Sequence, residues 1–173
     1  MALLDITIYG NPILRNDSSD IRTPDESTSA LIDDMFETMY RSIGIGLAAP
    51  QIGKNINLIV IDPSFGEDEK DAMYLINPEI IEHSNQTIES EEGCLSVPGI
   101  RATIPRYEWV KVSYRDLSNN ERITEGSGYK SIVLQHEIDH LRGRLFIDYV
   151  KGIKKTFILR KLKKDLSLDE KAH

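Results

Sequence analysis

Apolar positions along the chain fall into runs with two different periods. Leu31, Met35, Met39 and Ile43 recur every four residues, the spacing of one helix face. Asp25 or Ser27 can cap the start of that helix, and Gly44 and Gly46 end it in a loop. A second helix is predicted over about 128–141, closed by Gly143. After Leu145-Phe146-Ile147 a third is predicted over about 153–166, with Ile153, Phe157, Ile158 and Leu162 on one side. Leu58-Ile59-Val60-Ile61 is apolar throughout, as a buried strand is. Tyr74-Leu75-Ile76 reads as another, stopped by Asn77-Pro78. Further strands are predicted near 86–91, 100–104 and 108–115. In the last, Val110, Val112 and Tyr114 alternate with Lys111, Ser113 and Arg115, the pattern of a half-solvated strand. Asn119-Asn120 makes a hairpin turn that returns through Ile123. Residues 5–9 read as a short strand, and Asn11-Pro12 opens a loop to about Asp25. Strands cluster in mid-chain with helices around them. This predicts an α+β fold, with mostly antiparallel sheets around a central helix and a further helix at the C-terminus.

Composition narrows the class. A length of 173 residues predicts a single domain, 1–173. With 40% hydrophobic and 28% charged residues the chain is neither disordered nor fibrous. Cys94 is the only cysteine, so no intrachain disulfide can form, and a reducing, cytoplasmic compartment is expected. The opening MALLDITIYG lacks a basic stretch followed by a long apolar run, so no secretory signal is expected. No apolar run approaches the roughly 18–20 residues of a membrane span, so no membrane partner is expected. The net charge is −7, yet Lys151 to Lys164 carries seven basic residues and no acidic one. The acidic body argues against DNA as a partner. Only the basic C-terminal helix, 151–166, could meet nucleic acid.

The chemistry concentrates at 136–140, His-Glu-Ile-Asp-His. On a helix, positions i and i+4 share a face, so His136 and His140 can present two imidazoles to one metal ion. Glu137 projects about 100° away, out of reach as a third ligand but placed to act as a general base on a water. The plain alternative is a solvated helix face. For the third ligand, Leu141-Arg142-Gly143 is not followed by the further histidine of the metzincin pattern, and the only downstream glutamate, Glu170, lies in the tail. Cys94 is the better candidate, because a thiolate is a strong ligand for a transition metal; without the histidine pair it would read as an inert buried thiol. Gly44-Ile45-Gly46-Leu47-Ala48-Ala49-Pro50-Gln51 joins them as a small-residue loop carrying one side-chain donor, Gln51. Tyr129, Ile132, Val133, His136 and His140 form one helical stripe, which is either ordinary core or an apolar pocket beside the metal.

Three segments, Gly44–Gln51, Glu92-Gly93-Cys94-Leu95-Ser96 and Gln135-His136-Glu137-Ile138-Asp139-His140, resemble the signature motifs of peptide deformylases. They stand in the family's order and at similar separations. The likeness extends to Asp33–Met39, Leu75-Ile76-Asn77-Pro78 and Leu145-Phe146-Ile147-Asp148. It implies a metal-dependent hydrolase that removes the formyl group from the N-terminal formylmethionine of nascent polypeptides and releases formate.

The resemblance implies metal ligands Cys94, His136 and His140, with a fourth position left open as catalytic sites require. It implies Glu137 as the acid–base group, and Gln51 together with the Leu95 backbone N–H as donors to the developing oxyanion. It turns the helical stripe into a methionine pocket of Tyr129, Ile132 and Val133, with Ile45 and Arg101 nearby. Backbone around Ile45-Gly46 and Gly99-Ile100 would pair with the peptide as an added strand. A Cys-His-His set would ordinarily suggest zinc; the resemblance implies Fe²⁺ as the active ion, with Zn²⁺, Ni²⁺ or Co²⁺ able to occupy the site. For the basic C-terminal helix the readings are a solvated face or, as the resemblance implies, contact with the ribosome. Asp139 either supports Arg106 or another basic residue, or is simply solvated. Gln135 is expected to pack or bond locally. The competing functions are a small metallopeptidase and an inactive metal- or ribosome-binding module.

Overall fold

The computed structural model describes residues 3–65 and 71–172, with side chains through Asp165. Helix α1 spans Glu26–Arg41. Asp25, not Ser27, is its cap: Asp25 Oδ1 accepts from the Thr28 N–H (2.9 Å), and Thr28 Oγ1 accepts in return from the Asp25 N–H (3.3 Å). Met35 and Met39 are fully buried, with Ile32 rather than Leu31 completing the inner face. The helix stops before Ile43, whose φ of +56° and 81% exposure remove it from the core stripe.

The two-glycine segment is not the loop its composition predicts. Gly46–Ala48 is a short strand, β1, antiparallel to β2, Leu58–Ile61. Next come β3 (Met73–His83), β6 (Trp109–Arg115) and β7 (Glu121–Ser127), giving a five-stranded antiparallel sheet in the order β1-β2-β3-β6-β7. Asn77-Pro78 does not stop β3. The register shifts between Ile76 and Glu79, with Asn77 at φ +50°, so Pro78, which has no N–H, falls at a bulge where no ladder bond is needed. The Asn77 carboxamide instead bonds both the N–H and the carbonyl of Ile21, at 2.9 Å each.

Residues 5–9 form no strand. Isolated backbone bonds, Thr7 N–H to Gln51 O and Tyr9 N–H to Ser96 O at 2.7 Å each, and the packing of Ile6 and Tyr9 against the core hold them in place. The stretch after them is not all loop either, since Pro12–Arg15 makes a 3-10 turn with Asn11 as its cap.

Helix α2, Gly128–Leu141, lies on one face of the sheet and α1 on the other. This explains the unbroken apolar run of β2. Ile59 and Ile61 pack with Val133, Leu134 and Ile138 of α2, while Leu58 and Val60 pack with Met35 and Met39 of α1. Strands β4 (Thr87–Cys94) and β5 (Val97–Tyr107) form a separate antiparallel ribbon. Its inner residues Val97, Ile100, Ala102 and Ile104 pack on Leu145, Phe146 and Ile147, and on Ile158 and Leu162 of α3, Gly152–Ala172. Ile153 and Phe157 do not share that buried face and are exposed. The α+β class and antiparallel sheets stand as the sequence predicts. Among the described residues, no helix is long and apolar enough to cross a membrane.

Candidate metal centre

Helix α2 carries His136 and His140 one turn apart, and the end of β4 brings Cys94 up to them. The three donor atoms lie within 4.8 Å of one another, with Cys94 Sγ 3.3 Å from His140 Nε2. Side chains on β4 alternate, so Ser90 and Glu92 turn inward with Cys94 while Glu91 turns out. Glu92 therefore reaches His136 and accepts from its Nδ1–H at 2.7 Å. Arg106 of β5, almost wholly buried, grips Glu92 through Nε (2.7 Å) and Nη2 (3.0 Å). Its Nη1 reaches Asp139 at 2.6 Å, and Tyr149 donates to the other Asp139 oxygen (3.0 Å) while its ring lies over the guanidinium. Asp139 thus holds Arg106 and is not solvated. Gln135 bonds locally as expected, its Nε2 donating to the Ser131 carbonyl (3.0 Å) and Oγ (2.9 Å), and also reaches β5, where its Oε1 accepts from the Tyr107 N–H at 2.9 Å.

Burial pushes the Glu92 carboxyl up, but the hydrogen bonds from His136 and Arg106 outweigh it and hold the group at about 2. Burial lowers His136, but its contacts with Cys94 and Glu92 leave it well above its ordinary value. Burial and the neighbouring His136 push His140 well below its own. Glu137 is buried and driven up to about 7 by desolvation. Its Oε2 has no hydrogen-bond partner among the described residues. An unsatisfied buried carboxylate oxygen in a polar site calls for a water or ion that completes it. One soft sulfur and two imidazole nitrogens on a shared focus suit a divalent transition metal. The residues present fit such an ion.

Gly46 of β1 lets this happen. A Cβ built there would lie 2.8 Å from both Cγ and Cδ of Glu137, so only glycine leaves room for that side chain. Gln51 follows in the short 3-10 turn Ala49–Ile52. Its Oε1 accepts from the Ala48 N–H (2.8 Å), and its Nε2 lies 3.4 Å from Cys94 Sγ and 3.2 Å from Ser96 Oγ.

A cavity of about 480 Å³ opens over this cluster. It is lined by Gln51, Cys94, Leu95, His136 and Glu137, and by all the expected pocket residues: Ile45, Gly46, Gly99, Arg101, Tyr129, Ile132 and Val133. His140 is buried and is not among the residues that line it. Arg101 is paired with Glu91 at the rim (2.8 Å). Tyr129 is 56% exposed, so it belongs to the mouth of the cavity and not to its floor. The motif reading assigned no role to Ile43, Glu92, Gly93, Ser96 or Tyr149. For Glu92 a signal existed, its even-numbered parity with Cys94 along a strand. For Tyr149 there was none. Glu170 lies outside the residues whose side chains are described.

Comparison with known proteins points to one family. A family model described as polypeptide deformylase matches residues 3–156. The peptide deformylase of Brachyspira hyodysenteriae is 47% identical over 164 residues, 93% of this chain and 88% of that protein. That of Desulfotalea psychrophila is 43% identical over 165 residues, 95% and 97% of the two chains. Among solved structures, a plant peptide deformylase superposes with a TM-score of 0.93 at 36% identity, over 99% of this chain and 94% of that one. A peptide deformylase from Legionella pneumophila gives 0.88 at 41% identity, covering 98% of each.

Proposed function

The chain belongs to the polypeptide deformylase family, an enzyme family that removes the N-formyl group from nascent polypeptides, and from that premise we propose which of its residues do the work. Cys94, His136 and His140 hold the metal. When bound, a divalent ion acidifies water and polarises the formyl oxygen. Glu137 takes a proton from the attacking water and returns one to the departing amine nitrogen, as formate leaves. Its elevated carboxyl, near neutrality, suits a group that must both accept and donate. The Gln51 amide and the Leu95 backbone N–H meet the negative charge that develops on the formyl oxygen.

Ile45, Ile132 and Val133 form the pocket wall for the unbranched methionine side chain, with Tyr129 and Arg101 at its mouth. Backbone at Gly46 and Gly99 flanks the peptide as an added strand. The observation that carries this reading is the convergence of three metal-type donors under a cavity whose walls also present a buried, unsatisfied carboxylate and a primary amide.

Residues 1–173 act as one catalytic unit, in the cytoplasm, with Fe²⁺ as the active ion. Loss of activity in air, restored by nickel or cobalt, supports iron; a zinc form as active as the iron form overturns it. The basic face of α3, with Ile153 and Phe157 exposed beside Lys154 and Lys155, suits contact with ribosomal RNA. Lys154→Glu with Lys155→Glu tests this by ribosome co-sedimentation across salt concentrations, since truncation would strip Ile158 and Leu162 from the core. Equal sedimentation of both forms at low salt overturns it.

The catalytic assignment is tested by formate release from a short formyl-methionyl peptide, with the acetylated peptide as control. Glu137→Ala and Gln51→Ala should keep their metal and lose turnover, by about 3–4 kcal/mol for the oxyanion donor. Near-normal turnover in either removes that residue from the mechanism.

A further inference from the structure

We infer that Ser96 is a positioning residue for Gln51, fixing which of its amide hydrogens is offered to the reacting group. The inference rests on Gln51 serving as the oxyanion donor. A primary amide has one acceptor end and two donor hydrogens, and all three need defined partners before it can stabilise a transition state without reorganising. The Ala48 N–H fixes Oε1 at 2.8 Å, which also fixes which end is nitrogen. That bond alone is a single attachment about which the amide can rock. Ser96 Oγ, 3.2 Å from Nε2, takes one of the two hydrogens. The other is left facing Cys94 Sγ, on the side where the metal-type donors converge.

Ser96 is built for this task. It is fully buried, so no solvent water substitutes for its hydroxyl. Its carbonyl accepts from the Tyr9 N–H at 2.7 Å, which anchors it from the opposite side. It follows Leu95 in the turn between Cys94 and Val97, which are themselves paired across the β4–β5 ribbon. The same tight turn therefore carries a metal-type donor, the backbone N–H of Leu95 and the hydroxyl that aims Gln51.

The test is a double-mutant cycle on the metal-loaded enzyme. Ser96→Ala should keep full metal content and lower kcat by about tenfold, the worth of one neutral hydrogen bond, with KM unchanged. In a Gln51→Ala background, Ser96→Ala should lower kcat no further. An unchanged kcat in Ser96→Ala, or the same tenfold loss without Gln51, overturns the inference, the second because it marks a merely structural role. Full turnover in Gln51→Ala alone overturns the underlying assignment of Gln51 and the inference with it. An independent reading comes from the zinc-loaded protein labelled with side-chain ¹⁵N-glutamine. In Ser96→Ala the Gln51 amide proton shifts should move toward those of free glutamine, and unmoved shifts overturn the contact.

Discussion

Gly46→Ala isolates the contribution of one missing methyl group to catalysis. Gly46 is not among the glycines with positive φ, so alanine meets no backbone penalty there. The penalty is steric and falls on one side chain. The added Cβ would lie 2.8 Å from Cγ and Cδ of Glu137, where ordinary contact begins at 3.4 Å. Those carbons must retreat by about 0.6 Å and the carboxylate by about 1 Å, and since Glu137 lines the cavity, the group is displaced from its place there. A displacement of about 1 Å at a reacting group costs on the order of 100-fold in rate. The three atoms nearest the new methyl all belong to Glu137, so the clash falls first on that side chain and not on Cys94, His136 or His140. The expected outcome is a kcat for formate release reduced about 100-fold, with metal content by elemental analysis equal to wild type. A fully metallated Gly46→Ala enzyme turning over within about threefold of wild type would refute the reasoning, because it would mean that the position of Glu137 does not limit the chemistry.

Three further outcomes follow from the same contacts. Glu92 sits at about 2 in the folded chain against an ordinary 4.5, so its contribution is fully present above about pH 4.5 and is lost as pH falls through about 2. Denaturant unfolding of the metal-free protein should show a loss on the order of 3 kcal/mol across that window, absent in Glu92→Gln; parallel pH profiles for the two would count against it. Gly143 has φ +63°, and a Cβ there would meet the Arg15 carbonyl oxygen at 2.5 Å, so Gly143→Ala should destabilise the fold by about 1–3 kcal/mol with kcat of the folded fraction unchanged; a wild-type denaturation midpoint contradicts this. Ile132 lines the cavity, and Ile132→Lys should raise KM for formyl-methionyl peptides at least tenfold, whereas an unchanged KM would move the methionine side chain elsewhere.

Where chemistry is written in local periodicity, the sequence alone determined it. His136 and His140 share a face because α2 repeats every 3.6 residues, and Glu137 leaves that face for the same reason. The helices, most strands and the α+β class follow equally from period and punctuation. The motif resemblance then proposed Cys94, Gln51, Leu95 and the pocket residues, but gave no role to Glu92 or Ser96. Local pattern fails where two distant segments bargain over one space. Asn77-Pro78 looks like a strand end, yet the chain runs through as a bulge because Ile21 supplies partners that the ladder cannot. Gly44–Gln51 looks like a loop, yet Leu58–Ile61 supplies an edge for Gly46–Ala48 to join. Ile43 fits the helical stripe, but the helix ends two residues earlier and leaves it in solvent.

The tertiary structure decided the distances: Cys94 to His140, Glu92 to His136 and Arg106, and Gly46 against Glu137. Each joins residues at least 40 positions apart, or in the case of Arg106 two strands of one ribbon. Sequence periodicity fixes only which way a side chain points from its own element. Packing of the β4–β5 ribbon and β1 against α2 sets how close those side chains come, and the chemistry depends on that separation.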